Sequence, residues 1–420
     1  MAEIAAGAVV AEQVVSTGLE LGAAAAIARP TQPLKASLSQ ISTSSPQDSQ
    51  PEALARSRHS VTVLGDTAYI FGGEHADRSL ASTDVHTVSL PSQTQSVAQH
   101  SHYTAFPVKD TVTGEVVVPA PRKGHAAAAR GKHVVVHGGS DDKGVPIDED
   151  NCIWLWDAEK LQWARIRAVT QIGKTLAARE GHSIFVDEKQ DLLILHGGKT
   201  REELTAETWL FDFDAVAWTQ LPSSPATPSV AAYVDNTLYS ISTDSALGGS
   251  IHVLKLGQNA TERSKPEALK WEQIDFPTNP LAPGPTSRVG ASLLPVSTGY
   301  GRHYLVYLLG REAKPGQENQ EERFRSDVWS VQLPSHGFNA AAVKDAIRDR
   351  LPGNIESGTY SWAEVEIVPT EQLEHEGKVH PGPRGFFGAS TCADGKSIVF
   401  WGGLNAKGDQ EADGWMLKVL

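Results

Sequence analysis

Cysteine is nearly absent from this 420-residue chain: only Cys152 and Cys392 occur, too few for a disulfide scaffold and too far apart for a paired-cysteine zinc site. A reducing compartment, with cytoplasmic localisation, is the resulting expectation. Clusters of lysine and arginine are missing as well, and the formal charge is −13, so the electrostatic footprint of a DNA- or RNA-binding surface is lacking. Long apolar runs are also missing. The segment MAEIAAGAVVAEQVVSTGLELGAAAAIARP is broken too often for a membrane span, and its first basic residue, Arg29, follows Glu3, Glu12 and Glu20, which is not the start of a signal or transit peptide. No nucleic-acid partner and no membrane partner are expected.

A phosphate-binding loop is the next exclusion. LLILHGGKT at 192–200 contains Gly-Lys-Thr, but the early glycine of such a loop is replaced by Leu193, and the segment feeds another strand-like run rather than a helix. His137-Gly138-Gly139 and His196-Gly197-Gly198 resemble an esterase oxyanion segment, yet no Gly-x-Ser-x-Gly elbow accompanies them.

What is present is repetition. AYIFGGE (68–74), VVVHGGS (134–140), LILHGGK (193–199) and IVFWGGL (398–404) are short apolar runs closed by Gly-Gly, with YLVYLLGRE (304–312) and NTLYSIST (236–243) as weaker copies. The residue before the glycines is Phe71, His137, His196 or Trp401, which marks a bulky packing position. Upstream stand RSRHSVTVL, RKGHAAAAR and REGHSIFVD, beginning at Arg56, Arg122 and Arg179. SRVGASLLP and RGFFGASTC keep the arginine, as Arg288 and Arg384, but not the histidine. Downstream comes a third run with an acid two places before an aromatic or imidazole ring (Asp84, Glu207, Asp327, Asp413), and then a fourth opening on tryptophan (Trp163, Trp218, Trp271, Trp362). Each unit reads as four short strands, and a lone four-stranded sheet cannot bury both faces, whereas radial stacking does so.

The pattern resembles the Kelch repeat, whose period is roughly 50 residues with a Gly-Gly pair and spaced tryptophans. The resemblance covers residues 56–420 and implies an all-β, six-bladed β-propeller, with units beginning near 56, 122, 179, 228, 288 and 384. The sixth unit ends at Leu420 without a fourth strand. PLKASLSQI, residues 33–41, is therefore expected to close the last blade, as is common in such propellers. Residues 1–32 read as a helical segment and 42–55 as a polar linker. An insert in unit five, GFNAAAVKDAIRDRLPGN, reads as a helix with Asn339 as N-cap and Ala341, Val343, Ile347 and Leu351 on one side.

Two enzyme types share this architecture, a copper oxidase with a tyrosine-cysteine cross-link and an iron site of the form Glu-x-x-x-Asp-x-x-x-His. Neither constellation is found in the sequence. His59, His125 and His182 occupy equivalent positions and are read as hydrogen-bonding residues of the repeat rather than metal ligands, and the aligned acids as strand-entry contacts. No catalytic residue, metal or cofactor is assigned.

Function is expected on the loops of one face. The candidate binding residues are Arg58, Glu74, Lys123, Ser140, Glu180, Lys199 and Arg311, which differ among themselves at equivalent positions around the channel mouth. Asp141, Asp142, Asp148, Glu149 and Asp150 in one loop give an acidic rim, suited to a basic protein or peptide. A non-catalytic interaction protein is the leading expectation; the alternative is an enzyme or small-molecule binder at the channel mouth.

Overall fold

The computed structural model describes residues 32–41, 43–44, 51–91, 98–106, 109, 114–170, 174–242, 249–257, 268–276, 284–313, 323–335, 341–342, 344–345, 359–369 and 378–420. The expected helix over 1–32 lies outside these residues except for its last position, and Asn339, Val343, Ile347 and Leu351 of the second expected helix lie outside them too.

Six antiparallel sheets of four principal strands stand around a common axis. Blade one comprises Ser60–Leu64, Thr67–Phe71, Val85–Ser89 and Ala98–Tyr103; blade two comprises Ala126–Arg130, His133–His137, Ile153–Asp157 and Gln162–Ile166. Blade three comprises Ser183–Asp187, Leu192–His196, Thr208–Asp212 and Ala217–Leu221; blade four comprises Pro228–Val234, Thr237–Ser242, Ser250–Lys255 and Trp271–Asp275. Blade five is built from Ser292–Thr298, Arg302–Leu308, Val328–Gln332 and Trp362–Glu364. Blade six takes Gly388–Thr391, Ser397–Trp401 and Gly414–Val419 from the end of the chain, and Lys35–Ile41 lies antiparallel on the last of these, Leu38 opposite Leu417. The first strands touch one another in a closed cycle, blade six meeting blade one.

Alternation along each strand turns one set of side chains to each blade face, so the core divides between blades. Among the described residues there are six buried clusters, one at each interface between neighbouring blades. The fourth-strand tryptophans serve these interfaces, each reaching back to the previous blade: Trp163 packs on Phe71 at 4.9 Å, Trp218 on His137 at 5.6 Å and Trp271 on His196 at 5.4 Å between ring centroids. The bulky position before Gly-Gly is thus the socket of the next blade's tryptophan.

The stretch read as a polar linker contains structure. Thr43–Ser44 runs parallel to the outer strand of blade one, beside Ala98 and Gln99, and Pro51–Leu54 forms a 3-10 turn that buries Leu54. In the blade-five insert, Ala341 is buried and its carbonyl accepts from Arg302 Nη2 at 3.5 Å, while Asp345 pairs with the same guanidinium at 2.6 Å. This segment packs under its own blade.

Candidate functional site at the Gly-Gly end of the channel

The repeated arginines build the scaffold of this end. Arg56, Arg122, Arg179, Arg288 and Arg384 are 0–2% exposed. In each, Nη1 donates to the carbonyl of the residue at the first Gly-Gly position: Gly72 at 3.0 Å, Gly138 at 3.0 Å, Gly197 at 3.2 Å, Leu309 at 2.9 Å and Gly402 at 3.1 Å. The charge is answered by an acid at the entry of the third strand, with Arg122 to Glu149 at 2.6 Å, Arg179 to Glu207 at 2.7 Å, Arg288 to Asp327 at 2.7 Å and Arg384 to Asp413 at 2.6 Å. The same carboxylates accept indole N–H bonds from Trp154, Trp209 and Trp329 at 2.9, 3.1 and 2.6 Å. Burial alone raises the Asp413 carboxyl, but the hydrogen bond and charge of Arg384 outweigh it and hold Asp413 below the usual carboxylate range. Glu207, Asp327 and Asp413 among the aligned acids therefore do more than enter a strand: each neutralises a buried guanidinium, as Glu149 does in blade two. Blade one departs from this, because Arg56 Nη2 meets His86 Nε2 at 3.1 Å, and His86 Nδ1 in turn meets His100 Nε2 at 3.1 Å.

The glycine pairs lock blade to blade. The second glycine N–H donates to the next blade's arginine carbonyl, Gly73 to Arg122 at 2.8 Å, Gly139 to Arg179 at 2.9 Å and Gly403 to Arg56 at 2.9 Å. The first has no room for a side chain: a Cβ on Gly138 stands 2.6 Å from the Arg179 oxygen and 2.7 Å from His182 Cε1. The histidines also bridge blades rather than staying within them. His125 Nε2 meets Ser60 Oγ at 2.9 Å, His182 Nε2 meets His137 Nδ1 at 3.0 Å, and His196 lies 3.0 Å from both Thr208 Oγ1 and Ser240 Oγ. Burial, reinforced by neighbouring arginines, pushes His125 and His137 down to about 3 and keeps these rings neutral.

On this scaffold the seven candidate residues form an arc around the mouth. Lys123 Nζ lies 2.6 Å from Glu74 Oε2, and Arg58 Nε lies 3.5 Å from the other oxygen of the same carboxylate. Ser140 donates to Glu180 Oε2 at 2.6 Å. Ser140 is fully buried and Lys123 is 9% exposed, so both serve as links between blades and neither presents a free surface. Lys199 is exposed and stands across its loop from Leu204, itself 65% exposed. Arg311 stacks on Phe386 with its guanidinium carbon 5.3 Å from the ring centroid, and Arg58 on the same ring at 5.0 Å.

Phe386 is the residue that sequence reading missed. It occupies the position of Arg58, Gly124, Gly181 and Gly290 in the other blades, and all five have left-handed backbones, with φ of 60°, 56°, 64°, 64° and 64°. Their main chains are joined in sequence, Gly181 N–H to Gly124 at 2.7 Å, Gly124 to Arg58 at 2.8 Å, Arg58 to Phe386 at 2.8 Å and Phe386 to Gly290 at 2.7 Å. Three blades fill this position with glycine; Arg58 and Phe386 hold it against a cost of about 1–2 kcal/mol each. Aligning the arginine-led segments one residue further exposes the contrast.

The expected acidic rim is largely engaged within itself. Glu149 faces Arg122, Asp141 accepts from the amides of Lys143 and Val145 at 3.0 and 2.8 Å, and Asp148 accepts from that of Asp150 at 3.3 Å. At the opposite end of the channel, where first and second strands turn, lies an open cavity of about 570 Å³ that none of the seven candidates lines.

Comparison with known proteins agrees with the architecture. A family model described as the KLHDC2/KLHL20/DRC7 Kelch-repeats domain matches residues 34–240 and 124–345. Acyl-CoA-binding domain-containing protein 4 of Arabidopsis thaliana is 26% identical over 184 residues, which cover 44% of this chain and 26% of the relative. Tip elongation aberrant protein 3 of Schizosaccharomyces pombe is 27% identical over 264 residues, 57% of this chain and 21% of the relative. The chain thus spans about a quarter or less of these relatives' lengths. Among solved structures, that of YjhT covers 86% of this chain and 94% of its own at 14% identity and a TM-score of 0.54, a likeness of fold alone.

Proposed function

Because the chain belongs to the Kelch-repeat family, we propose that it is a non-catalytic interaction protein that holds a protein or peptide segment across the Gly-Gly mouth of its propeller. The observation that carries this reading is the strained pair Arg58 and Phe386, stacked together in backbone positions that glycine fills in three other blades. Strain retained at a surface points to a use for the side chains. Although the whole chain is acidic, Lys123 is spent on Glu74 inside the scaffold, and Arg58, Lys199 and Arg311 remain as the cations of the mouth, so an acidic segment suits it better than the basic one expected from the rim sequence. We further propose that Lys35–Ile41 acts as the strand that closes the ring, supported by its register on Gly414–Val419.

The test is affinity capture from the native source with wild type and an Arg58→Gly/Lys199→Glu double variant. Glycine fits the left-handed position, so folding is retained while two cations are lost. Loss of one protein partner is the expected outcome; an unchanged partner set overturns the assignment of this face.

A further inference from the structure

We propose a second binding site at the other end of the channel, for a small amphipathic organic cation: an amine with an apolar body. The cavity of about 570 Å³ falls in the size range of small-molecule pockets, roughly 300–1,000 Å³. Blades one, two, three, four and six contribute to it, so it belongs to the ring as a whole.

Chain direction orders its wall. Val63, Ala129 and Val186 stand before the turns and so line its inner part, whereas Glu188, Lys189 and Asp235 stand on the turns at its rim. An apolar body placed inside therefore puts its polar end among the rim groups. Among the described residues three carboxylates line the cavity, Asp187, Glu188 and Asp235, against the single ammonium of Lys189, with His303 Nε2 lying 3.3 Å from Asp235 Oδ2.

The wall is held rigid by bonds that cross between blades. Tyr233 donates to Asp187 Oδ2 at 2.8 Å, Glu188 accepts from the Gly131 amide at 2.7 Å, and Thr391 donates to the Pro295 carbonyl at 3.0 Å. Arg130, next to the lining turn at Gly131, is engaged by its double hydrogen bond to Asp191, at 2.7 Å for each arm, and by its stacking on Phe213 at 3.9 Å. Glu188 and Asp235 leave the rim net acidic, and Val63, Ala129 and Val186 give the amine's apolar body a surface to rest on. This site is independent of the partner-binding mouth.

The test is a ligand-observed NMR titration of the full chain with phenethylamine and, as its neutral counterpart, phenethyl alcohol. Saturable binding of the amine is expected, roughly millimolar for a ligand of this size, with the alcohol weaker by several fold. Ala129→Phe fills the cavity and abolishes binding. Asp235→Asn, a change at an exposed position, narrows the preference for the amine by roughly two- to fivefold without touching the core. The Arg58→Gly/Lys199→Glu variant at the other end leaves amine binding intact whatever its effect on partner capture. Equal affinity for amine and alcohol, no saturable amine binding, or full binding to a folded Ala129→Phe protein overturns the proposal.

Discussion

A matched pair of glycines in blade two separates the conformational role of Gly-Gly from its packing role. Gly131 and Gly138 both have left-handed backbones, at φ 55° and 62°. A Cβ on Gly131 meets nothing within 4 Å, whereas one on Gly138 stands 2.6 Å from the Arg179 oxygen and 2.7 Å from His182 Cε1. Gly131→Ala therefore carries only the backbone cost, about 1 kcal/mol after the gain from a less flexible unfolded chain. Gly138→Ala adds an overpacking term of about 1–3 kcal/mol. The clash resists relaxation because the Arg179 carbonyl is fixed by the Gly139 amide at 2.9 Å and His182 by His137 at 3.0 Å. With an unfolding entropy of about 2.1 cal/mol/K per residue, a chain of this size loses roughly 1 °C of Tm per kcal/mol. Thermal unfolding followed by near-ultraviolet circular dichroism should place Gly131→Ala about 1 °C and Gly138→Ala about 2–4 °C below wild type. Equal shifts would refute the interblade role assigned to the first glycine.

Three other perturbations test the same scaffold. Removing one member of the Arg122–Glu149 pair, as in Glu149→Gln or Arg122→Met, should cost about 3–5 kcal/mol in denaturant unfolding, and the double variant less than the sum; strict additivity would show that the pair is not coupled. The buried histidines give an acid dependence whose sign is fixed by their lowered values: His125, His137 and His196 titrate near 3 in the fold, where burial is the main cause, and near 6.5 when unfolded. Their contribution is complete above about pH 6.5 and declines as pH falls toward 3, by about 1.4 kcal/mol per pH unit for each ring, so urea midpoints should drop between pH 7 and pH 5; a flat profile contradicts neutral burial. Deleting residues 1–41 removes Leu34, Ala36 and Leu38 from the cluster that buries Leu417 and Val419 and should lower Tm by several degrees, and an unchanged melt would reject closure by Lys35–Ile41.

The sequence alone marked the units, because Gly-Gly, the leading arginine and the fourth-strand tryptophan recur in most of them and the strand pattern of the fourth falls in step, and four short strands apiece call for stacked sheets. It also placed His137 and His196 at packing positions, since phenylalanine and tryptophan stand at the equivalent sites. Tertiary structure decided which partner each repeated residue takes. Arg122 and Glu149 are distant in the chain and meet because a blade folds back on itself; Lys123 and Glu74, Ser140 and Glu180, and His182 and His137 meet because neighbouring blades abut. Such contacts have no local signature, as they depend on rotation about an axis that no single unit contains. The same holds for the two ends of the channel: the seven candidate side chains gather at one, while the cavity opens at the other among first-strand turns whose residues look unremarkable in the chain and acquire meaning only when five blades bring them together.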